Sequence, residues 1–182
     1  MADKFDFIRD DVAGLKDAGL FINLRVMGSA ADAWMIVDGK RVLNFCTNNY
    51  LGLANHPAMK EAAQRAIDEW GVGPAAVRSI AGTQALHVQL EQRLAAFKGV
   101  EDALYVQSGF CANQAAIAPL VGRDRETGQQ DVIFSDRLNH ASIIDGARLS
   151  GAKIVVYEHC DARDAEAKIR ENLPKFRRGM LI

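Results

Sequence analysis

The feature that most constrains the fold is a regular alternation in the second half of the chain. After residue 100, short apolar runs are separated by segments whose apolar residues have helical spacing. Apolar strands joined by helices are typical of a parallel sheet with crossover helices, so the expected fold class is α/β. The predicted elements are strand 103–106, helix 111–121, strand 131–134, helix 140–149, strand 153–157, helix 162–172 and a last apolar run, Met180–Ile182.

The first half of the chain predicts different elements. Residues 1–24 have apolar side chains at helical spacing, and this helix is expected to end near Gly19. Two extended runs, 34–37 and 42–46, flank an Asp-Gly pair and predict a β-hairpin. A loop then leads to a helix that begins at Pro57, because proline is favoured at the first helical position.

A further helix is predicted from about Gln84 to Lys98, and Gly99 is expected to end it as a C-cap. Its apolar residues fall on one face, which is expected to be buried. That stripe consists of Leu86, Leu90, Leu94 and Phe97.

Composition excludes several classes of function. The chain has 182 residues, 49% of them hydrophobic, which suits a globular protein with a core. A net charge of −1 gives no electrostatic footprint for nucleic acid or an anionic membrane. The three cysteines are scattered and form no metal-binding or disulfide framework, and no signal peptide or membrane span is visible. We therefore expect a cytoplasmic protein.

The turn after the predicted strand 103–106 is a candidate anion site. Ser108-Gly109-Phe110 precedes a helix whose first amides lack partners within the helix. These amides and the helix dipole attract anions, and phosphate is the usual ligand. Such turns are common in α/β proteins, so this feature alone leaves the function open.

A second candidate lies after strand 131–134, where residues 135–146 lead into the next helix. Ligands of α/β sheets bind outside the carboxyl ends of strands, which is where His140 is expected. A histidine there could stack on a planar ring or transfer a proton, and it could equally satisfy local loop carbonyls. Both interpretations remain open on spacing alone.

Two cysteine-containing segments are weaker candidates. Cys111 lies at a helix start, where a thiol can become more acidic, but an ordinary buried cysteine is the simpler interpretation. Glu158-His159-Cys160 carries metal-binding side chains. Neighbouring residues on a strand point to opposite faces, so we expect no shared metal ion.

Four motifs in the same order resemble the α-oxoamine synthases, pyridoxal phosphate (PLP) enzymes of the class II aminotransferase-like group. They are Asn-Phe-Cys-Thr-Asn-Asn-Tyr-Leu-Gly-Leu-Ala-Asn-His-Pro (44–57), Gly-Thr-Gln…His-x-x-Leu-Glu (82–91), Ser-Gly-Phe-x-Ala-Asn (108–113) and Asp-x-x-Asn-His-Ala-Ser-Ile-Ile-Asp-Gly (136–146). The resemblance implies the PLP-dependent transferase fold type I of aspartate aminotransferase. It implies an N-terminal segment, 1–55, with the helix, the hairpin and a substrate loop, followed by part of the PLP-binding large domain, 56–182.

The resemblance also implies roles for individual residues. The amides of Gly109 and Phe110 would bind the PLP phosphate, and His140 would stack on the ring as the catalytic histidine. Substrate contacts are implied for Arg25, Asn48 and Ser79. The loop 77–80 is similar to one that reaches the acyl end of the substrate across a homodimer interface.

Within the family the motifs are most similar to glycine C-acetyltransferase, an enzyme of threonine catabolism that condenses glycine with acetyl-CoA to 2-amino-3-oxobutanoate. Val77 and Ser79 replace the Thr and Asn of succinyl-using relatives, which favours a short neutral acyl group. One alternative is 8-amino-7-oxononanoate synthase or a relative with a longer acyl chain. Another is a non-catalytic half-length scaffold or binding protein.

Family members are about twice as long as this chain, so the resemblance implies a truncated protein. The Asp-x-x-His segment that pairs with the PLP nitrogen and the Schiff-base lysine are both missing, and we expect them beyond Ile182. The chain alone is therefore expected to be inactive. None of its lysines has the family's lysine context: Lys4, Lys16, Lys40, Lys60, Lys98, Lys153, Lys168 and Lys175.

Overall fold

The computed structural model describes residues 4–182, and residues 1–3 of the predicted N-terminal helical segment lie outside this range. One compact unit ends at Gly82 and a second spans Thr83–Ile182. The predicted functional division at residue 55 stays a prediction.

The first unit begins with helix α1, Asp6–Asp17, as the apolar spacing predicts. A hairpin follows, with β1 at Trp34–Val37 and β2 at Lys40–Leu43 in antiparallel register. Asp38 and Gly39 form its turn with positive φ angles of 49° and 76°, as an Asp-Gly hairpin requires. The second strand was expected at 42–46. It begins at Lys40 because Lys40 pairs directly with Val37 across this two-residue turn.

Helix α2, Pro57–Trp70, is the remaining long element of this unit and starts where the proline predicts. The Nδ1 atom of His56 accepts the amide of Ala58 at 3.2 Å and caps the helix. After α2 the chain forms a single wide turn, Arg78–Gly82. A side chain at Gly82 would collide with the backbone of Ala76, because a Cβ atom there would lie 2.0 Å from the Ala76 carbonyl oxygen.

The second unit begins with helix α3, Ala85–Lys98, which ends at Gly99 in the predicted left-handed conformation. Its apolar stripe is not buried, which corrects the expectation from spacing. Phe97 is 83% exposed, and Leu86, Leu90 and Leu94 are also exposed. Apolar periodicity predicts which face of a helix is apolar, but that face is buried only where another element packs against it. No described element covers this stripe.

The core of the second unit is a parallel three-stranded sheet in the order β4-β3-β5. The strands are β3 at Val132–Asp136, β4 at Lys153–Tyr157 and β5 at Gly179–Leu181. The middle strand β3 carries the most buried side chains, Val132, Ile133 and Phe134. Continuous apolar strands predict this parallel arrangement, and it is confirmed.

Residues 103–106 do not form the predicted strand. Leu104 is 74% exposed, and the amide of Tyr105 donates to Oε1 of Glu91 at 2.8 Å. A strand requires a neighbouring strand to accept its backbone hydrogen bonds, and no described strand lies beside this segment.

Three more helices complete the second unit: α4 at Gly109–Leu120, α5 at Ala141–Ser150 and α6 at Ala162–Asn172. Helices α4 and α5 pack closely because α5 contains Gly146. A Cβ atom at Gly146 would lie 3.2 Å from the carbonyl oxygen of Asn113 and 3.3 Å from the Ile117 side chain. Further along, Gly122 approaches the carbonyl of Ser150 in the same way. The two helices therefore run in the same direction and begin at the same end.

The amino end of β3 is held by a buried ion pair. Asp131 is fully buried, and its carboxylate accepts Nε and Nη2 of Arg177 at 2.9 Å each. The amide of Gly122 also donates to this carboxylate at 2.9 Å. The Arg177 guanidinium is the largest influence that holds the pKa of Asp131 well below its usual range.

Candidate functional site

The candidate site begins at the amino terminus of α4. Ser108 is the N-cap of the helix, and its Oγ accepts the amide of Cys111 at 3.1 Å. The Ser108 carbonyl accepts the amide of Ala112 at 2.9 Å. The helix therefore starts at Gly109, two residues earlier than the sequence predicts.

Two amides of this first turn are available to a ligand. None of the hydrogen bonds among residues 4–182 uses the amide of Gly109 or Phe110. Nothing lies within 4 Å of the place that a Cβ atom at Gly109 would occupy. Gly109 is not in the left-handed region, so its contribution is this open space. Unpaired amides, a helix terminus and open space together fit a phosphate group.

His140 occupies the corresponding position in α5, where it is the N-cap residue. Its Nδ1 atom accepts the Ser142 amide at 3.2 Å and lies 2.7 Å from the Ser142 hydroxyl oxygen. With two donors facing Nδ1, this hydrogen-bond network assigns the imidazole proton to Nε2. The imidazole itself is exposed, so its ring face is available to a planar ligand.

A hydrogen-bond chain joins the two helix termini. Nδ2 of Asn113 donates to the Ser142 hydroxyl oxygen at 2.8 Å, and that hydroxyl faces Nδ1 of His140. Ser142 is 1% exposed, so its hydroxyl has no competing water. Asn113, at the start of the second turn of α4, therefore fixes the orientation of the imidazole at the start of α5 through Ser142.

The loop before His140 is anchored to the carboxyl ends of the strands. Nδ2 of Asn139 donates to Oγ of Ser135 at 3.0 Å and to the carbonyl of Ile182 at 3.1 Å. The Tyr157 hydroxyl donates to the same carbonyl at 3.0 Å. His140 is thus held at the carboxyl end of the sheet, which is where ligands of α/β proteins bind.

Asp136, at the end of β3, is a carboxylate with a lowered pKa. The amides of Cys160 and Leu138 donate to it at 3.0 and 2.8 Å, and His159 Nδ1 lies 2.9 Å away. These hydrogen bonds, the Cys160 amide first, lower the pKa of Asp136 to about 2. Asp136 therefore remains charged throughout the neutral range.

The three residues with implied substrate contacts, Arg25, Asn48 and Ser79, lie in the first unit. Nη1 of Arg25 pairs with Oδ2 of Asp38 at 3.0 Å, beside the hairpin turn. Oδ1 of Asn48 accepts the Tyr50 hydroxyl at 3.3 Å, and Ser79 is exposed in the turn Arg78–Gly82. Their substrate roles stay predictions.

No lysine of the second unit lies at the start of α4 or α5. Lys98 ends α3, Lys153 begins β4 at the opposite end of the sheet, Lys168 lies within α6, and Lys175 follows it. In the described part of this unit, the candidate site therefore consists of the Gly109 and Phe110 amides and the His140 imidazole, and no lysine lies at the start of either helix.

The link between Asn113 and Ser142 is not predicted by the sequence. Both residues lie within the quoted motifs, but they are 29 positions apart and nothing local indicates that they meet. The available signal was the polar pair Asn113 and Gln114 in an otherwise apolar helix, because a half-buried polar side chain usually has a partner.

Comparison with known proteins identifies the family to which this chain belongs. The chain belongs to the aminotransferase class I and II family, whose model matches residues 40–182, and within it to the α-oxoamine synthases. Pyridoxal phosphate is the cofactor of this family, and the expected α/β fold is confirmed as part of the PLP-dependent transferase fold.

Individual relatives are consistent with the family. The 8-amino-7-oxononanoate synthase of Fervidobacterium nodosum is 51% identical over 98% of this chain and 44% of its own length. A Thermus thermophilus protein named 8-amino-7-oxononanoate synthase/2-amino-3-ketobutyrate coenzyme A ligase is 47% identical over 84% of this chain and 37% of its own. A serine palmitoyltransferase structure from S. paucimobilis, with bound PLP, superposes with a TM-score of 0.81 at 28% identity, over 98% of this chain and 45% of that one. The chain thus spans less than half the length of these relatives.

These names modify one expectation. The motifs favour glycine C-acetyltransferase and threonine catabolism, whereas the relatives are named mainly for 8-amino-7-oxononanoate synthesis. The alternative prediction, 8-amino-7-oxononanoate synthase, is therefore better supported than glycine C-acetyltransferase. None of the helices in the described range combines the length and apolarity that crossing a bilayer requires.

Proposed function

We propose that this chain supplies the phosphate-binding and ring-contacting part of a PLP-dependent α-oxoamine synthase. The observation that carries the proposal is the joined pair of helix termini. The unpaired amides of Gly109 and Phe110 and the imidazole of His140 lie at the same end of α4 and α5 and are linked through Asn113 and Ser142.

Each group has a defined task in this proposal. The Gly109 and Phe110 amides donate to the phosphate, whose negative charge is also favoured by the dipole of α4. The His140 ring covers one face of the pyridine ring and keeps water from it. When bound, PLP supplies an electron sink for the carbanion of an amino acid, and the residues of this chain position that sink.

We further propose that the reaction of the whole protein is the synthesis of 8-amino-7-oxononanoate. The family condenses an amino acid with an acyl-CoA and, in most members, releases carbon dioxide. A nine-carbon product with nitrogen on carbon 8 then requires a seven-carbon dicarboxylic acyl group, pimeloyl, and a two-carbon fragment from alanine. The relatives from Fervidobacterium nodosum and Coprothermobacter proteolyticus, at 51% and 52% identity, support this choice.

Condensation of glycine with acetyl-CoA is the second candidate. The Thermus thermophilus relative is named for both reactions, which supports this candidate. A homodimer is proposed for either reaction, from the family resemblance.

The cofactor proposal is tested by equilibrium dialysis of the chain against pyridoxal phosphate and against pyridoxal. Gly109→Pro removes one phosphate-binding amide, yet proline is tolerated at the first helical position and Ser108 already has the extended backbone that precedes it. A lost hydrogen bond to a charged group is worth roughly 1.5–3 kcal/mol, so we expect about 10- to 100-fold weaker binding of pyridoxal phosphate.

Ala162→Pro is the matched control, because it makes the same change at the first position of α6. It should leave binding of pyridoxal phosphate unchanged. Equal affinity of the wild-type chain for pyridoxal and pyridoxal phosphate would contradict the phosphate site, as would an unaffected Gly109→Pro variant.

A further inference from the structure

The turn after β4 brings a histidine and a cysteine together. Strand β4 ends at Tyr157, and the amide of Asp161 donates to the Glu158 carbonyl at 3.0 Å, which closes a turn over His159 and Cys160. Cys160 has a left-handed backbone, with φ 54°. The alternation of side chains along a strand, which argued against a shared metal ion, therefore does not apply to these two residues.

The end of β3 adds a carboxylate to this pair. Nδ1 of His159 lies 2.9 Å from Oδ1 of Asp136, and Sγ of Cys160 lies 3.7 Å from the same Nδ1 atom and 3.4 Å from Nε2. One donor atom from each of the three residues lies within 4.8 Å of the other two. Asp136 is 23 positions before His159, so the sheet pairing of β3 with β4 creates the cluster.

Thiolate, imidazole and carboxylate are the donor types that Zn²⁺ uses in proteins. With bonds of about 2.0–2.3 Å, two ligands on a tetrahedral zinc ion lie roughly 3.2–3.7 Å apart. The distances from Nδ1 to the carboxylate and to the thiol are close to this range. The His159 side chain is 53% exposed and Cys160 is exposed, so small rotations of either meet little packing resistance.

We propose that Asp136, His159 and Cys160 form a binding site for Zn²⁺ or a divalent cation of similar ligand preference. The ion takes the place of the proton between His159 Nδ1 and Asp136, and that proton moves to Nε2. The thiol loses its proton to the solvent and binds as thiolate.

The surroundings leave room for a fourth ligand. Asp136 and Cys160 line a cavity of about 530 Å³ that continues between the carboxyl ends of the strands and α6. A water molecule in this cavity can complete a tetrahedral site. The site does not use the amides of α4 or the ring of His140, so it is independent of the proposed function.

The test is titration of the reduced wild-type chain with Zn²⁺ alone by calorimetry, and with Co²⁺ alone by absorbance. We expect one ion per chain, with a thiolate-to-cobalt band in the near ultraviolet. Calorimetry in two buffers of different ionisation enthalpy should show release of about one proton per zinc ion.

Cys160→Asn is the decisive variant, because asparagine tolerates the left-handed backbone better than cysteine and should preserve the fold. It should abolish the cobalt band and weaken Zn²⁺ binding at least about 100-fold, and Asp136→Asn should weaken it about 10- to 100-fold. Cys46→Ser, which removes another exposed cysteine, should change neither. A cobalt band that survives in Cys160→Asn, or no wild-type Zn²⁺ binding at micromolar concentrations, would overturn the proposal.

Discussion

At the scale of single residues, Asp131 is the most consequential polar side chain of the second unit. Its buried carboxylate is paired with Arg177 and accepts the Gly122 amide. Asp131→Ala would remove both interactions and leave the Arg177 guanidinium paired with Asp124 alone. We expect a loss of roughly 1.5–3 kcal/mol in the free energy of unfolding, measured by urea denaturation. Glu166→Ala, which breaks the exposed pair of Glu166 with Arg170, should cost no more than about 0.5 kcal/mol.

The same residue predicts a pH dependence. The folded-state pKa of Asp131 lies below its unfolded value of about 4, so its contribution is complete above that pH and is lost as the pH falls below it. The wild-type free energy of unfolding should therefore decrease between about pH 5 and pH 2. The free energy of unfolding should fall less steeply with decreasing pH for Asp131→Ala than for the wild type. Parallel plots of this free energy against pH for the two proteins would contradict the assignment to Asp131.

At the scale of elements, the close contact of α4 and α5 depends on Gly146. Leucine is a good helix former, so any cost of Gly146→Leu comes from the Asn113 carbonyl and the Ile117 side chain that lie against it. We expect a loss of roughly 1–3 kcal/mol and weaker binding of pyridoxal phosphate, because the Asn113–Ser142 hydrogen bond spans the same contact.

Gly14→Leu is the control for this change. Gly14 also lies within a helix, but nothing is within 4 Å of the position of its Cβ atom. The substitution should leave stability unchanged or raise it by up to about 1 kcal/mol. If both leucine variants were equally destabilised, the helix contact would not be the cause.

Elements were predictable from sequence where their evidence was local. The Asp-Gly turn, the proline at the start of α2 and the glycine after α3 each determine a boundary through their own backbone preferences. Residues 103–106 show the limit, since an apolar run becomes a strand only beside another strand. The prediction that the apolar stripe of α3 is buried was wrong for the same reason, because burial requires a second element beside the helix.

At the scale of the whole molecule, several contacts that organise the second unit join positions far apart in the sequence. Asp131 meets Arg177 46 positions later, and Asp136 meets His159 and Cys160 across the sheet. Spacing along the chain contains no signal for such pairs. The motif resemblance supplied Gly109, Phe110 and His140 as site residues, but only the fold shows how Asn113 and Ser142 connect them.

The choice between synthesis of 8-amino-7-oxononanoate and condensation of glycine with acetyl-CoA also belongs to this scale, because it concerns the whole protein of which this chain is a part. We expect its kcat/KM with alanine and pimeloyl-CoA to exceed that with glycine and acetyl-CoA. Product analysis by mass spectrometry with acetyl-, pimeloyl- and palmitoyl-CoA measures this directly. A preference for acetyl-CoA with glycine would favour the second candidate, and a preference for palmitoyl-CoA would contradict both.

The bridge from Asn113 through Ser142 to His140 has one more consequence. In the proposed function, the amides that would bind the phosphate and the ring that would cover the pyridine are joined by these hydrogen bonds, so a shift of one group would displace the other. Selectivity then follows from the separation between charge and ring in the incoming molecule. A compound whose phosphate and aromatic ring are joined by a longer linker would then make either the contact with the amides or the contact with the His140 ring, but not both.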